Sequence, residues 1–171
     1  MRLLIFGNAG SGKSTLARAQ SARHALPHLD LDTIVWEPGQ VAVARAPEAV
    51  RADLEAFIAA NANWVIEGCY GELVEWAAPA STRLVFLNPG LDACLAHNRR
   101  RPWEPHKYAS PDAQHAMLEH LQAWVAGYYV RDDAWSLAEH RRVFDAHPGD
   151  KLELTHVCDD LDAALDGHRA D

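Results

Sequence analysis

The sequence predicts an α/β fold in which helices cover both faces of a parallel sheet. Two observations lead to this prediction. Short apolar runs alternate with amphipathic segments along the chain, which is the pattern of repeated strand–helix–strand units. The first run, at 3–6, is continuously apolar, as expected for a strand buried on both faces, and a glycine-rich turn separates it from a helical segment.

The other elements follow from periodicity and from boundary residues. A helix is predicted over 13–26, ended by Pro27, and a second strand over 28–35. After Pro47, the apolar residues Val50, Leu54, Phe57 and Ile58 have the spacing of one helix face. Further elements are predicted as follows: strands over 64–68, 83–88 and 151–155; helices over 91–101, 111–128 and 135–144; a terminal helix around Leu161 and Leu165; and a loop over 103–110.

Composition narrows the function classes. The chain has 171 residues, of which 49% are apolar and 23% charged, so we expect one domain over 1–171 with a sizeable core. The net charge of −8 argues against binding through nucleic-acid phosphates or an anionic membrane surface. Three widely spaced cysteines predict neither a disulfide framework nor a zinc site. No apolar run is long enough to span a membrane, and we expect a cytoplasmic protein.

The glycine-rich turn is the most specific motif. Residues 7–14, GNAGSGKS, satisfy the Walker A pattern G-x-x-x-x-G-K-[ST] between a buried strand and a helix. Glycines allow backbone N–H groups to surround a phosphate, while Lys13 reaches the β- and γ-phosphates and the Ser14 hydroxyl ligates Mg²⁺. The predicted nucleotide-binding residues are Gly7, Asn8, Ala9, Gly10, Ser11, Gly12, Lys13, Ser14 and Thr15. The motif predicts triphosphate binding but not the reaction.

Two classes of P-loop protein, the GTPase switches and the large motor ATPases, do not fit the sequence. A GTPase switch typically shows D-x-x-G and N-K-x-D, and neither string occurs. A large motor ATPase needs a longer chain. The small phosphotransferase is the remaining P-loop class, which predicts ATP and Mg²⁺ as cofactors.

Several strings together resemble a known family. They are GNAGSGKST at 7–15, LDTIVW at 31–36 followed by Pro38 and Gly39, WVIEGCY at 64–70, RLVFLN at 83–88 and the arginines at 99–101. The chain resembles small P-loop kinases of the adenylate kinase and shikimate kinase type, and more narrowly the bacterial "DNA topology modulation" kinase-like (FlaR-related) proteins. The resemblance covers about the first hundred residues. It implies a three-layer P-loop NTPase fold, a five-stranded sheet in the order 2-3-1-4-5 and a helical lid at roughly 99–135.

The implied sheet order brings acidic residues to the phosphate loop. Asp30, Asp32 and Glu67 follow or end strands 2 and 3, and carboxylates there can hold Mg²⁺ and orient or deprotonate an acceptor hydroxyl. By resemblance, Asp32 contacts acceptor or metal-bound water, and Glu67 supports the Mg²⁺ waters. The alternative is that Asp30 and Asp32 only end a strand or cap a helix. Strand 4 ends in Asn88 and supplies no acid.

Further candidates lie beside these acids and in the lid. Trp36 and Gly68 are predicted to line the acceptor pocket with Asp32. Most of the remaining tryptophans considered as stacking platforms are expected in the core: Trp64, Trp103, Trp124 and Trp135. From the arginines at 99–101, Arg99 and Arg101 are taken as catalytic candidates that close over the transferring phosphoryl group. The alternative is that they only complement a helix dipole. Arg131 is a weaker candidate, and His106 with Lys107 is expected to be solvated.

These observations lead to one principal hypothesis and two alternatives. The principal hypothesis is an ATP- and Mg²⁺-dependent kinase of a small molecule; nucleotides, nucleosides and cyclic hydroxy acids all remain open as acceptors. The first alternative is a nucleotide-binding regulatory module with weak ATPase activity that acts through a partner. The second, direct DNA binding, rests only on the family label, and the negative charge and lack of a helix-turn-helix pattern oppose it. The sequence does not indicate an oligomeric state.

Overall fold

The computed structural model describes residues 1–37, 43–105, 108–156 and 165. The strands are β1 (Arg2–Gly7), β2 (His28–Asp30), β3 (Trp64–Gly68), β4 (Arg83–Leu87) and β5 (Lys151–Leu154). The helices are α1 (Lys13–His24), α2 (Asp32–Val35), α3 (Pro47–Ala60), α4 (Gly71–Ala77), α5 (Leu91–Arg99), α6 (Pro111–Ala116), α7 (Leu118–Gly127) and α8 (Leu137–Ala146), and a 3₁₀ turn spans Ala78–Ala80. No helix in these ranges is long and apolar enough to cross a membrane.

The five strands form one parallel sheet in the order β2-β3-β1-β4-β5. This confirms the predicted α/β class and strand order. In the register, Ile5 on β1 lies opposite Glu67 on β3, and Glu67 lies opposite Asp30 on β2. Because all strands run in the same direction, their carboxyl ends meet at one edge, where the phosphate loop follows β1.

Each face of the sheet packs against its own apolar cluster. Alternate residues of β1 divide between them: Leu4 and Phe6 lie in one cluster, and Leu3 and Ile5 lie in the other. The first cluster includes residues of α3, α4 and α8, and the second includes residues of α1 and Leu165. Burial on both faces explains why the central strands are continuous apolar runs rather than alternating ones.

Two predicted elements were wrong in extent. The strand predicted over 28–35 ends at Asp30, because the Asp30 carboxylate accepts the Asp32 backbone N–H at 2.9 Å and α2 begins there. This is an aspartate capping geometry, which competes with strand extension. The helix predicted over 111–128 is two helices, α6 and α7, that meet at Met117. Its predicted start is confirmed, since the Ser110 hydroxyl accepts the Ala113 N–H at 3.1 Å.

Other expectations had mixed outcomes. The helix α4 was not predicted, and α8 begins at Leu137 rather than 135, with the Ser136 hydroxyl accepting the Glu139 N–H. The expectation that most of these tryptophans lie in the core was wrong, because Trp64 is fully buried but three others are 37–46% exposed: Trp103, Trp124 and Trp135. The predicted terminal helix lies outside the described residues except Leu165, which is helical and buried. His106 and Lys107 also lie outside them.

Candidate functional site

The phosphate loop connects β1 to α1 and leaves no room for side chains at two of its glycines. Gly7 and Gly10 have φ angles of 147° and 82°. A Cβ atom at Gly7 would lie 2.2 Å from the Leu87 carbonyl oxygen, and one at Gly10 would lie 2.4 Å from the Cys94 carbonyl oxygen. The loop therefore packs directly on the end of β4 and on α5, and only glycine fits these two positions.

Helix α5 holds two carbonyl groups of the loop. The Asn98 side-chain amide donates to the Ala9 carbonyl at 3.1 Å, and His97 Nδ1 donates to the Gly10 carbonyl at 2.7 Å. Since a carbonyl can only accept, the second bond places a proton on His97 Nδ1. In a trans peptide the C=O of one residue and the N–H of the next point in opposite directions. Because the Ala9 carbonyl points towards Asn98 on α5, the Gly10 N–H points away from α5. The sequence reasoning missed His97 and Asn98, which no local motif marks.

Lys13 and Ser14 place the polar groups of the motif beside the sheet edge. Lys13 is 8% exposed, and its Nζ donates to the Asn8 carbonyl at 2.9 Å, so the ammonium lies over the loop. The Asn8 amide in turn donates to the Val125 carbonyl of α7 at 3.0 Å. The Ser14 side chain forms a hydrogen bond to Glu67. One contact thus joins the start of α1 to the end of β3.

Three carboxylates line the cleft beside the loop: Asp30, Asp32 and Glu67. Glu67 is only 2% exposed, and its Oε1 has no hydrogen-bond partner among the described residues. Burial raises the pKa of Glu67, and the nearby Lys13 ammonium opposes that shift. Gly68 also lines the cleft, and a Cβ there would lie 2.7 Å from the Leu31 side chain. The predicted convergence of these acids on the loop is what the sheet order produces.

Trp36 and Tyr70 form a hydrogen-bonded chain that ends on the Asp32 carboxylate. The Tyr70 hydroxyl donates to Asp32 Oδ1 at 2.6 Å, and the Trp36 indole N–H donates to the Tyr70 oxygen at 2.8 Å. Burial and the adjacent Asp32 charge raise the pKa of Tyr70, so it stays a donor. Trp36 is not among the residues lining the cleft and contacts Tyr70 instead of forming the predicted pocket wall. Tyr70, the last residue of the WVIEGCY string, was missed.

The three arginines at 99–101 face different directions. Arg100 and Arg101 line the cleft together with Pro102, Trp103 and Glu104. Arg99, a predicted catalytic residue, lines a separate shallow depression beside Leu95 and His115.

Two further residues considered from sequence face away from the cleft. Arg131 does not line it, because its guanidinium donates to the carbonyls of Trp124 and Trp135. Asn88 donates to Glu153 on β5 and is likewise absent from the lining.

A buried histidine connects the end of α7 to the carboxyl edge of the sheet. His140 is fully buried, and its Nε2 donates to the Cys69 carbonyl at 3.0 Å. Its Nδ1 must then accept the Tyr128 hydroxyl proton, at 2.8 Å, if the ring is neutral. Burial lowers the pKa of His140 to about 4, so the ring is neutral at pH 7. The hydrogen bond from His140 Nε2 to the Cys69 carbonyl holds the backbone directly after Glu67 and Gly68. Burial also raises the pKa of the Cys69 thiol to about 12, so it is not a reactive thiolate.

Together these elements enclose a cleft of about 680 Å³. The phosphate loop forms its floor, the three carboxylates lie on its β2–β3 side, and Leu87, Leu154 and His156 lie on its β4–β5 side. Among the described residues, no group of three or more His, Cys, Asp or Glu side chains is placed to hold a metal ion by itself. A cation here would need additional oxygen ligands, such as phosphate and water, which is typical of Mg²⁺.

Comparison with protein-family models and with curated proteins finds no match. Among solved structures, the chain is similar to the protein TT1252 from Thermus thermophilus, with 17% identity, a TM-score of 0.57 and coverage of 98% of this chain and 95% of that one. This similarity supports the fold. Weaker similarity, with a TM-score of 0.48 and 13% identity, links it to an unliganded sugar kinase from Janibacter sp. HTCC2649, covering 90% of this chain and 84% of that one. A gluconokinase from Sinorhizobium meliloti 1021 gives 0.46 and 14%, with coverage of 91% and 83%.

Proposed function

We propose that the protein is an ATP- and Mg²⁺-dependent phosphotransferase that moves the γ-phosphoryl group to a hydroxyl of a small molecule. The observation that carries this proposal is the arrangement of one cleft. A Walker A loop with its lysine lies directly beside buried carboxylates, and lid arginines line the same space. Phosphoryl transfer requires these groups together, because the protein mainly positions the reactants and stabilises charge.

The residues fit a nucleotide and its metal. Glycine-only packing at Gly7 and Gly10 holds the loop against β4 and α5, and the loop leads directly into the N-terminal end of α1, where backbone N–H groups can bind a phosphate. The buried Oε1 of Glu67 has no partner among the described residues, which suits a group that receives hydrogen bonds from metal-bound water. Ser14, Asp32 and Glu67 would hold Mg²⁺ directly or through water. When bound, Mg²⁺ neutralises charge on the transferring phosphates.

Each of the charged residues that line the cleft has its own role in the proposed reaction. Lys13 exchanges the Asn8 carbonyl for phosphate oxygens, and its ammonium compensates their charge. Asp32, held by Tyr70, accepts the proton of the acceptor hydroxyl or orients that hydroxyl for attack. Arg101 and the neighbouring Arg100 stabilise the phosphoryl group from the lid, whereas Arg99 contributes as a helix-end cation.

Lid closure is part of the proposal. The segment after α5 is held by polar contacts: Arg101 pairs with Glu104 at 3.3 Å, and the Glu104 backbone N–H donates to Gln114 on α6 at 2.8 Å. A single half-buried ion pair at the protein surface contributes little stability, so we expect the segment to open at low cost. A bound triphosphate offers the arginines a stronger partner. Hydrogen exchange over 99–110 should slow when an ATP analogue and Mg²⁺ bind; equal exchange in both states, with the phosphate loop protected, would place the flap elsewhere.

The proposed function is tested by ATP turnover. ADP release is measured with and without a panel of hydroxylated metabolites, nucleosides and nucleoside monophosphates, and Lys13→Ala serves as the inactive control. Stimulation by an acceptor in the wild type, but not in Lys13→Ala, supports the kinase. ATP binding with slow turnover that no acceptor stimulates favours the regulatory module. The narrower resemblance to DNA topology modulation kinases, a single domain over 1–171 and a cytoplasmic location remain predictions.

A further inference from the structure

The two peptide groups that flank Gly10 are each held by a side chain of α5. The peptide before Gly10 contains the Ala9 carbonyl, which accepts the Asn98 amide N–H at 3.1 Å. The peptide after it contains the Gly10 carbonyl, which accepts the His97 Nδ1 proton at 2.7 Å. Two consecutive residues of one helix therefore hold both peptide groups in the middle of the phosphate loop.

The glycine makes these contacts necessary. The φ angle of Gly10 is 82°, in the left-handed region. A half-turn of the Ala9–Gly10 peptide reverses the sign of that angle, and glycine tolerates both signs, so the local backbone does not select one direction. The loop's own backbone contributes the bond from the Ser11 N–H to the Asn8 carbonyl, which at 3.2 Å lies at the long end of the normal range. The donors on α5 supply the selection that the glycine leaves open.

The direction of the peptide groups decides whether the loop can bind an anion. A phosphate is bound by backbone N–H groups, and in a trans peptide the N–H points away from the C=O. With the Ala9 carbonyl turned towards α5, the Gly10 N–H points to the opposite side. If that peptide were reversed, a carbonyl oxygen would take the place of the N–H and repel the phosphate. Phosphate affinity should therefore depend on donors that lie outside the Walker A motif.

Both side chains on α5 are suited to be donors. A carbonyl oxygen only accepts, so the bond to Gly10 requires a proton on His97 Nδ1. Asn98 is 3% exposed, and its amide nitrogen also donates to the Cys94 carbonyl at 2.9 Å. Its Oδ1 is buried without a partner among the described residues, which costs free energy. Core packing alone does not explain a buried amide with one unsatisfied end, whereas a donor to the loop does.

We propose that His97 and Asn98 are positioning residues that hold the phosphate loop in the conformation that binds a triphosphate. This inference rests on the proposed function, because it concerns the same nucleotide site. Neither residue is assigned a contact with the reacting atoms. Arg100 and Arg101 follow directly after α5 and line the cleft. The contacts between α5 and the loop therefore also set the point from which these arginines reach the cleft.

His97 offers a matched pair of variants. His97→Asn keeps a nitrogen donor on Cγ, the atom to which Nδ1 is attached in histidine, whereas His97→Leu has a branched Cγ without a donor. His97 is partly exposed, so neither change empties a fully buried site. His24→Leu is the control, because His24 is exposed at the end of α1 that lies furthest from the loop.

The test measures phosphate affinity separately from base recognition. An ATP analogue with Mg²⁺ is titrated by calorimetry, and inorganic tripolyphosphate, which has no base, is titrated by displacement of that analogue. His97→Leu should weaken both ligands by about fivefold to tenfold, the value of one lost hydrogen bond, and His97→Asn should stay within about twofold of the wild type. His24→Leu should bind like the wild type, and all the variants should melt at similar temperatures.

Three results with the His97 pair would overturn the proposal. Wild-type affinity in His97→Leu would show that the loop keeps its conformation without this donor. Equal losses in His97→Leu and His97→Asn would show that the donor is not what matters. A loss for the ATP analogue but not for tripolyphosphate would assign His97 to the base instead of the loop.

Two further measurements address each residue directly. Long-range ¹H–¹⁵N spectra should show the proton of the neutral His97 ring on Nδ1; a proton on Nε2 alone would overturn the role of His97. Asn98→Ala should weaken tripolyphosphate by a factor similar to that of His97→Leu. A folded Asn98→Ala protein with wild-type affinity would overturn the role of Asn98, and the His97 pair decides alone if that variant does not fold.

The failure of this inference is distinguishable from the failure of the proposed function. If the wild type binds neither the ATP analogue nor tripolyphosphate, the proposed function fails and the inference fails with it. If the wild type binds both and His97→Leu binds them equally well, the nucleotide site stands and only the positioning role is wrong.

Discussion

The phosphate loop and the carboxylate side of the cleft are built in different ways. The loop is one continuous stretch of chain, and its shape depends on backbone conformation and on contacts to Leu87, Cys94 and Asn98 that leave no space for a Cβ. The carboxylate side is assembled from Asp30, Asp32 and Glu67, which belong to separate segments and are held by side-chain hydrogen bonds.

This difference has a mechanistic consequence. A loop defined by backbone packing already has its shape without a ligand, and such a loop suits a phosphate chain, which is the same in many substrates. The carboxylate side is held by single hydrogen bonds, so its residues can be exchanged one at a time without rebuilding the backbone. Such a side is suited to binding the acceptor, which differs from one kinase to another. Phosphate binding should therefore tolerate changes on the carboxylate side, whereas transfer should not.

The largest effect is expected from the loop itself. Lys13→Ala removes the ammonium that compensates phosphate charge, and we expect turnover to fall by about a thousandfold or more. The apo protein should unfold at nearly the same temperature, because the Lys13 ammonium donates to one backbone carbonyl, that of Asn8, and the neighbouring Glu67 can take up a proton once the ammonium is removed. Steady-state ADP release and a thermal melt measure the two effects. A fully active Lys13→Ala protein would contradict the assignment of the loop.

The acids should affect transfer more than binding. Asp32→Asn and Glu67→Gln preserve shape and remove charge, and we expect each to slow transfer by roughly a hundredfold while ATP-analogue affinity changes little. Titration calorimetry and turnover separate these quantities. If Asp32→Asn works normally while Glu67→Gln is inactive, the proton-accepting role belongs to Glu67 rather than to Asp32.

A smaller effect on transfer is expected at Tyr70, which contacts the Asp32 carboxylate. Tyr70→Phe removes the donor to Asp32 Oδ1 and the acceptor for the Trp36 indole. We expect kcat to fall by about tenfold, the value of one or two lost hydrogen bonds, with the KM for ATP unchanged. Trp36→Phe breaks the chain one step earlier and should cost less. Equal losses in both variants, together with a raised KM for ATP, would show general disruption of the cleft.

The weakest effect concerns pH and stability. His140 has a pKa of about 4 when folded and about 6.5 when unfolded, so the unfolded state binds more protons between these values and stability rises with pH across that range. Between pH 7 and pH 5, this residue should cost about 2 kcal/mol of unfolding free energy. Denaturant unfolding of the wild type and of His140→Gln at both pH values tests this. The variant should be less stable at pH 7 but less sensitive to acid; an unchanged pH dependence would show that His140 titrates normally.

The contrast between a continuous loop and a carboxylate side assembled from separate segments also explains what the sequence could predict. The continuous apolar strands are local signals from which the α/β class follows without long-range information, and the structure confirms that class. The Walker A motif is also a local signal, and the phosphate site that it indicates remains a prediction. The strand order, which the resemblance implied, brings Asp30 to Glu67 across two neighbouring strands, and the structure confirms that order.

The missed residues have no local signal. His97 and Asn98 matter because α5 packs against the loop, Tyr70 matters because it reaches Asp32, and His140 matters because α8 packs over the end of β3. The three adjacent arginines could not be ranked from periodicity alone, and the end of α5 decides that Arg100 and Arg101, not Arg99, line the cleft. The exposed tryptophans show that an apolar residue type does not by itself indicate burial.

The central claim is that one cleft holds ATP on its loop and an acceptor on its carboxylate side. The most direct test incubates the protein with ATP labelled at the γ-phosphorus, Mg²⁺ and the acceptor panel, and then separates the products. We expect the label to move from ATP to a hydroxyl oxygen of one of the acceptors, and Lys13→Ala to abolish the transfer. Label found only in inorganic phosphate with every acceptor, or transfer undiminished in Lys13→Ala, would contradict it.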